Sequence, residues 1–170
     1  MQDGVSHVPS IAPRPALRVA VVMEREASPN RWEAWRFRPV DVVRHEEGFG
    51  DAVHVLRDDG RVRRTLHPNF TLELFRDEAE GYYLNLSSGA PVWFIVWRVD
   101  EDDPSRAWPE TVSVSYTEAG RWLDAQERVD NVPLPPDVTA WLQAYTDEHY
   151  RPEPKRRRRP QSFVAPGERG

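Results

Sequence analysis

Carboxylates beside tyrosines are the first side chains in this sequence whose types and spacing could do chemistry. Asp77, Glu78 and Glu80 precede Tyr82 and Tyr83 in the segment DEAEGYY. Such a set can exchange protons with a bound substrate. It can equally keep the tip of a β-hairpin soluble, and no neighbouring residues predict a substrate pocket. The segment is therefore interpreted as an exposed turn.

Histidines and acidic runs could hold a metal ion, but their spacing argues against one. Residues 45–47 (HEE), with His54 nearby, supply suitable ligands, yet adjacent residues of an extended chain face opposite ways. Residues 100–103 (DEDD) lack the spaced ligands and glycine of a calcium loop. His67, before Pro68-Asn69, is assigned a turn-stabilising role. Without a phosphate loop, dinucleotide fingerprint, H-E-x-x-H or G-x-S-x-G motif, the sequence predicts no metal and no cofactor.

Charge is divided unevenly between the body of the chain and its C-terminal end. The 170 residues carry a net charge of −5, yet residues 151–170 hold seven basic and two acidic side chains. Five of these basic residues are consecutive: Lys155, Arg156, Arg157, Arg158 and Arg159. The acidic body repels nucleic acid, whereas the tail would attract nucleic acid or an acidic protein surface.

Composition predicts a folded, cytoplasmic protein with one domain. Cysteine is absent, which excludes disulfides and thiolate ligands and fits a reducing compartment. No stretch approaches the roughly 20 apolar residues that span a bilayer, and the N-terminus lacks the pattern of a secretory signal. We expect a flexible arm at residues 1–15, a globular domain at 16–150 and a disordered basic tail at 151–170.

Alternating apolar residues predict about eight strands. Residues 17–23 and 91–99 are apolar on both faces, which is typical of central strands. Pro39 pushes its strand toward a sheet edge or a bulge, and Asp59-Gly60 predicts a hairpin with a type I′ turn. The remaining predicted strands cover residues 32–43, 52–57, 61–66, 70–75, 82–86 (paired with 70–75 in a second hairpin) and a half-exposed strand at 111–116.

Two amphipathic segments near the C-terminus predict helices. Thr117 can cap a short helix that runs to about Arg128. A second helix begins at Pro136 and ends before Pro152, with four apolar residues at helical spacing: Val138, Trp141, Leu142 and Tyr145. The order of elements predicts an α+β fold, with a mainly antiparallel sheet curled into a meander or partial barrel and two C-terminal helices.

Four segments resemble a bacterial family of domains of unknown function. They are VVMERE at 21–26, FTLELFRDEAEGYYLNL at 70–86, VSVSYTEAGRWLDAQERVDNVPLPP at 112–136 and EHYRPEPKRRR at 148–158. Genes of that family lie beside those for molybdenum-dependent formate dehydrogenases and their maturation factors. Some members carry the label molybdopterin-guanine dinucleotide biosynthesis protein A. That activity needs a glycine-rich nucleotide loop on a parallel sheet, and this sequence has neither.

The resemblance implies a non-catalytic, protein-binding accessory factor, either a maturation factor or a small subunit of formate dehydrogenase. The expected partner surface includes the turn from Asp77 to Tyr83 and a connector at 128–135 with Arg128, Asp130 and Asn131. Two alternatives stay open. One is an enzyme that acts on the molybdenum cofactor or its nucleotide through Asp77, Glu78 and Tyr82. The other is a non-specific nucleic-acid binder that uses the basic tail.

Overall fold

Seven strands and three α-helices form the part of the protein that the structure, a computed structural model, describes: residues 14–29 and 34–152. The strands are β1 Ala16–Ala27, β2 Trp35–Arg44, β3 His54–Asp58, β4 Val62–Glu73, β5 Val92–Val99, β6 Ala107–Ser113 and β7 Arg128–Pro133. The helices are α1 Ala79–Ser87, α2 Tyr116–Asp124 and α3 Pro136–His149. The predicted arm and the basic run at 155–159 lie outside the described residues, apart from the arm's last two residues.

The strands form two antiparallel sheets. Sheet A has the order β2-β1-β4-β3, and sheet B has the order β6-β5-β7. The sheets face a common core, in which β2 lies beside β7 and β4 beside β6, and they do not close into a barrel. Helix α1 packs against α2 and α3. The predicted α+β class with mainly antiparallel sheets and C-terminal helices is confirmed.

Strand β1 is the central strand of sheet A and is covered on both faces, as the sequence predicted. Val19, Val21 and Met23 belong to the core between the sheets. Ala20 and Val22 belong to a smaller apolar cluster on the opposite face. Because successive side chains of a strand point to opposite faces, a continuous apolar run is what a strand in this position requires.

Pro39 lies in an edge strand beside a bulge, as predicted. Val22 of β1 pairs with Asp41 of β2, but Met23 pairs with Pro39, so that Val40 is the extra residue. A proline has no N–H to donate, and an edge strand with a bulge tolerates that loss.

Strand β4 is continuous where the sequence predicted two strands. The pairing with β1 shifts in register at Pro68 and Asn69, which form a β-bulge, and Asn69 adopts a positive φ of 73°. The predicted strands at 61–66 and 70–75 are therefore the two halves of β4. The turn-stabilising role assigned to His67 is wrong, because His67 lies within the strand.

The hairpin predicted at Asp59-Gly60 is confirmed and joins β3 to β4. Its loop spans residues 59–61, and of these three residues Gly60 alone has a positive φ, of 84°. A type I′ turn needs positive φ at two successive residues, so that part of the prediction is wrong.

Residues 82–86 lie in α1, so the predicted second hairpin is wrong. The alternation of Tyr82, Leu84 and Leu86 indicated a strand. The buried positions of the helix instead include Ala79, Tyr82 and Asn85, which recur every three residues, while Leu84 is exposed. This spacing is that of a helix with one buried face.

The side chain of Asn85 ties α1 to sheet B. Its amide group donates to the carbonyl oxygens of Val92 (2.9 Å) and Val114 (3.0 Å), and its oxygen accepts the N–H of Val92 (3.0 Å). Asn85 is buried, so these three backbone groups would otherwise need other partners away from water. The contact therefore favours a helix that presents Asn85 to the sheet.

The C-terminal elements differ from the prediction at their ends. The connector expected at 128–135 is mostly strand β7, which pairs with β5, and β5 is central in sheet B as predicted. The expected half-exposed strand at 111–116 is buried at residues 112–115, and Ser115 rather than Thr117 caps α2 by accepting the N–H of Glu118 (3.1 Å). Helix α2 ends at Asp124, whereas α3 begins at Pro136 as predicted.

We predict that replacing two helical glycines by alanine changes stability in opposite directions. A Cβ on Gly81 would meet Ser115 Oγ and lie 2.5 Å from Thr117 Oγ1, whereas a Cβ on Gly120 meets nothing within 4 Å. Gly120→Ala should stabilise the protein by about 0.5–1 kcal/mol, the usual helix preference. Gly81→Ala should destabilise it by about 1–3 kcal/mol, because the hydroxyls of Ser115 and Thr117 must move. Urea unfolding measures both, and an equal gain from the two variants would contradict this packing of α1 on α2.

Candidate functional site

Glu78 ends the short 3-10 turn before α1 and is bound to the start of α2. Its carboxylate accepts hydrogen bonds from the hydroxyls of Ser115 and Thr117 and from the guanidinium of Arg121. Burial by itself raises the pKa of Glu78, but these hydrogen bonds and the charge of Arg121 outweigh it and hold the pKa below its usual range. Glu78 is therefore an ionised anchor between α1 and α2.

The other residues of the predicted turn do not converge on one site. Tyr82 is buried, and its hydroxyl oxygen accepts the backbone N–H of Phe75 (2.9 Å); burial raises the pKa of Tyr82 well above its usual value. Tyr83 is exposed and stacks on Tyr150, with 4.5 Å between ring centroids. Asp77 and Glu80 are exposed. The geometry does not assemble a shared acid–base site from Asp77, Glu78 and Tyr82.

Two of the three residues predicted in the connector surround Trp97. The indole N–H of Trp97 donates to the carboxylate of Asp130 (2.6 Å), and the guanidinium of Arg128 lies over the ring, 5.5 Å from its centroid. Arg128 and Trp97 line a cavity of about 720 Å³, which also contacts Trp35 and Phe37 of β2. Asn131 pairs with Phe94 of β5, is exposed and does not line this cavity.

A second cavity, of about 500 Å³, lies between sheet A and the connection from β5 to β6. We call it the arginine cavity. Its lining from sheet A includes Arg25, Arg63, Thr65 and His67, and its lining from the connection and β6 includes Asp103, Ser105, Arg106 and Trp108.

The arginine cavity was missed from the sequence, although one signal for it was present. In β1 the core-facing positions alternate as Val19, Val21, Met23 and then Arg25. A charged residue that continues an apolar core-facing alternation must meet a polar environment or a partner. What the sequence could not show is that the residue paired with Arg25 is Arg63.

The two arginines carry hydrogen-bond donors without acceptors. The Nε atoms of Arg25 and Arg63 are both buried and have no hydrogen-bond partner in the described part of the chain. One terminal nitrogen of Arg25 donates to the carbonyl oxygen of Ser105 (3.0 Å), and its guanidinium lies over the ring of Trp35, 4.2 Å from the centroid. Buried donors are normally paired, so these two groups need an explanation.

The opposite face of the same strands shows a complete charge arrangement. Glu24 is 5% exposed and accepts hydrogen bonds from Arg38 of β2 (3.0 and 3.2 Å) and Arg64 of β4 (2.8 Å). Burial raises the pKa of Glu24, but the bonds from Arg64 and Arg38 and their charges outweigh it and lower the pKa. Here one carboxylate separates two guanidinium groups.

Strand β3 presents an apolar edge to solvent. It is the last strand of sheet A, and among the strands that the structure describes it pairs with β4 alone. Val55 and Leu56 of β3 are 53% and 55% exposed, and Val53, which directly precedes the strand, is 54% exposed. Edge strands of soluble proteins usually carry charges that discourage pairing with other chains. Arg57 and Asp58 supply such charges at one end of β3, whereas Val55 and Leu56 leave the other end apolar.

Neither a metal cluster nor a membrane-spanning helix is found within residues 14–29 and 34–152. No group of three or more His, Cys, Asp or Glu residues in this part could hold a metal ion. None of its helices is long and apolar enough to cross a bilayer.

The fold and these surfaces define a two-sheet α+β protein with an open apolar edge and an arginine-lined cavity. A family model described as "Protein of unknown function (DUF3305)" matches residues 18–159. The chain belongs to this family, which agrees with the resemblance to a family of unknown function. No curated protein and no solved structure matches the chain.

We predict that His67 makes stability depend on pH. Burial lowers the pKa of His67 to about 4, from about 6.5 in the unfolded chain. Between these values the unfolded state binds the proton and the folded state does not, so stability falls as pH falls from 6.5 toward 4. Allowing for partial solvent access, His67 should contribute a loss of about 1–2 kcal/mol between pH 7 and pH 5.

Urea unfolding at the two pH values measures this loss. His67→Gln can keep the hydrogen bond to Thr65 but has no group that titrates in this range. Its loss of stability between pH 7 and pH 5 should be smaller than that of the unmodified protein by the contribution of His67. His54→Gln, on the exposed strand β3, keeps His67 intact and serves as the control. The prediction is wrong if His67→Gln and His54→Gln show the same dependence on pH.

Proposed function

We propose that this protein is a non-catalytic, protein-binding accessory factor associated with a molybdenum-dependent formate dehydrogenase. The exposed apolar edge at β3 is the observation that carries the protein-binding part of this proposal. The link to formate dehydrogenase rests on the resemblance of the four sequence segments to a family encoded beside genes of that enzyme. Within this proposal the protein is either a maturation factor or a small subunit.

Strand addition is the mode of binding that β3 supports best. One side of β3 pairs with β4, and within residues 14–29 and 34–152 no strand pairs with the backbone groups on its other side. An extended segment of a client could add there as a fifth strand of sheet A, held by backbone hydrogen bonds. Val53, Val55 and Leu56 would then contact apolar residues of that segment. We therefore assign the β3 edge to an extended, apolar segment of the client.

The polar surface predicted from the sequence supports a second contact region. Asp77, Glu80 and Tyr83 are exposed around the start of α1, and Tyr83 is fixed by stacking on Tyr150. A rigid exposed aromatic ring is typical of protein interfaces, because little side-chain entropy is lost on binding. Glu78 and Tyr82 support this region from below rather than contact the client.

We predict that charges on β3 abolish recovery of the client. The protein is purified by affinity from its native host after mild cross-linking, and formate dehydrogenase components are quantified by mass spectrometry. The double variant Val55→Lys, Leu56→Lys should reduce their recovery at least about tenfold, because it places charges in the apolar contact. Leu123→Lys, at a residue of α2 that is 58% exposed, is the matched control and should retain recovery.

Each alternative outcome has a definite meaning. If the unmodified protein recovers no formate dehydrogenase component, the proposed association is wrong. If the double variant recovers as much of the formate dehydrogenase components as the unmodified protein does, binding does not use β3. If the double variant instead converts a dimer into a monomer, β3 pairs with a second copy of the chain and not with a client.

We predict that deleting the gene lowers formate dehydrogenase activity. Activity and molybdenum content are measured in the purified enzyme from the deletion strain. Loss of molybdenum would identify a maturation factor, whereas normal molybdenum with lost activity would identify a subunit. Normal values of both would contradict the association, and complementation with the intact gene is the control.

A further inference from the structure

Arg25 and Arg63 face each other across two hydrogen-bonded strands. Arg25 of β1 pairs with Arg63 of β4, and both side chains line the arginine cavity. Like charges directly opposite each other in an antiparallel pair destabilise a sheet. No ion pair within 4.0 Å joins either guanidinium to a carboxylate of residues 14–29 or 34–152. Their two buried Nε–H groups are left without acceptors.

The neighbouring residue of β1 shows how the same strands compensate charge elsewhere. At Glu24 a carboxylate lies between Arg38 and Arg64 and accepts hydrogen bonds from both. At Arg25, one residue further, the strand pairing places two arginines opposite each other, and no carboxylate of residues 14–29 or 34–152 forms an ion pair with either. An oxyanion in the cavity would accept hydrogen bonds from Arg25 and Arg63, as the carboxylate of Glu24 does from Arg38 and Arg64.

The carboxylates around the arginine pair bind other partners. Glu24, which also lines the cavity, accepts hydrogen bonds from Arg38 and Arg64. Asp103 accepts hydrogen bonds from the backbone N–H (3.0 Å) and the hydroxyl (2.6 Å) of Ser105. Asp58 pairs with Arg63 across β3 and β4, but its Oδ1 accepts the N–H of Gly60 (3.1 Å) in the hairpin loop. The hydrogen bonds from Ser105, and then the charges of Arg106 and Arg25, lower the pKa of Asp103. Neither Asp103 nor Asp58 lies within 4.0 Å of a guanidinium nitrogen of Arg25 or Arg63.

The rest of the lining suits a ligand with both charge and apolar surface. Arg106 adds a third guanidinium, which lies 3.8 Å from Asp100. The hydroxyl of Thr65 and Nε2 of His67 lie 2.8 Å apart and form a neutral polar pair on the same face. Phe37 and Trp108 supply aromatic walls. A cavity of about 500 Å³ is within the usual range for small-molecule ligands.

We propose that the arginine cavity binds a small molecule through an oxyanion, a carboxylate or a phosphate, held between Arg25 and Arg63. Guanidinium groups present several N–H donors in a planar fork that matches both anions. The Nε–H groups of the two arginines donate to the oxyanion, and the aromatic walls contact the remainder of the ligand. The cavity adjoins the β3 edge, because Val53 belongs to its lining, but anion binding between Arg25 and Arg63 does not depend on an association with formate dehydrogenase.

The Nε–H groups can be observed directly by nitrogen–proton correlation NMR of the full chain. Inorganic phosphate and acetate are titrated separately, against chloride at matched ionic strength. We expect the Arg25 and Arg63 Nε–H signals to shift and saturate with at least one of the two probes, and the more strongly bound probe identifies the preferred anion. The Arg61 Nε–H signal, on an exposed side chain of the hairpin loop, should not follow them. If neither cavity signal moves with either probe, the proposal is wrong.

Variants of Arg63 separate binding from a structural role. Arg63→Gln should weaken the probe's effect on the Arg25 signal at least about fivefold, because one charged donor group is lost. Without added anion, its urea midpoint should not fall, since the substitution removes repulsion between like charges. Arg61→Gln is the matched control and should keep the affinity of the unmodified protein. A fall in the urea midpoint of Arg63→Gln with unchanged anion affinity would show that Arg63 is structural and overturn the proposal.

Arg63→Lys keeps the charge and provides a second route if Arg63→Gln does not fold. It retains a cation but loses the Nε–H donor and the planar fork. If both variants fold, the affinity of Arg63→Lys for the probe should lie between that of the unmodified protein and that of Arg63→Gln. If only Arg63→Lys folds, its affinity should be severalfold lower than that of the unmodified protein. An affinity for Arg63→Lys equal to that of the unmodified protein would contradict the role of the Nε–H group.

Discussion

The requirement that β1 be covered on both faces is the constraint on which the rest of the structure depends. Val19 and Val21 face the core shared with sheet B, whereas Ala20 and Val22 face the smaller cluster on the outer side. Burying both faces of a strand forces β1 into the middle of sheet A, between β2 and β4. That position places residues 24 and 25 between partners from both neighbouring strands, and so creates both charged arrangements of the sheet.

Those two arrangements illustrate how one strand can serve structure and recognition at adjacent residues. On one face, the carboxylate of Glu24 joins three strands through Arg38 and Arg64, which stabilises the sheet. On the other face, Arg25 and Arg63 repel each other and open toward a cavity. Proteins commonly accept such local cost where a ligand or partner later removes it. The proposed anion site is of this kind.

Helix α1 and the edge strand β3 show the same division between a rigid support and an exposed surface. Helix α1 is fixed by Asn85 on sheet B and by Glu78 on α2, so the exposed Tyr83 is held on a rigid support. Strand β3, by contrast, is short and exposed along its length. A rigid body with an exposed edge strand is a form suited to adding an extended segment of another protein without refolding.

The sequence by itself determined the elements whose signals are local. Alternation or continuous apolar runs predicted β1, β2 and β5, Asp59-Gly60 predicted the hairpin, and helical spacing predicted α3. Tertiary structure alone decided that residues 82–86 form a helix, because the buried contacts of Asn85 involve residues 92 and 114. It alone decided that Arg25 pairs with Arg63, since the bulge at Pro68 and Asn69 sets that register. Contacts between distant residues depend on strand order and register, and a local pattern does not encode either.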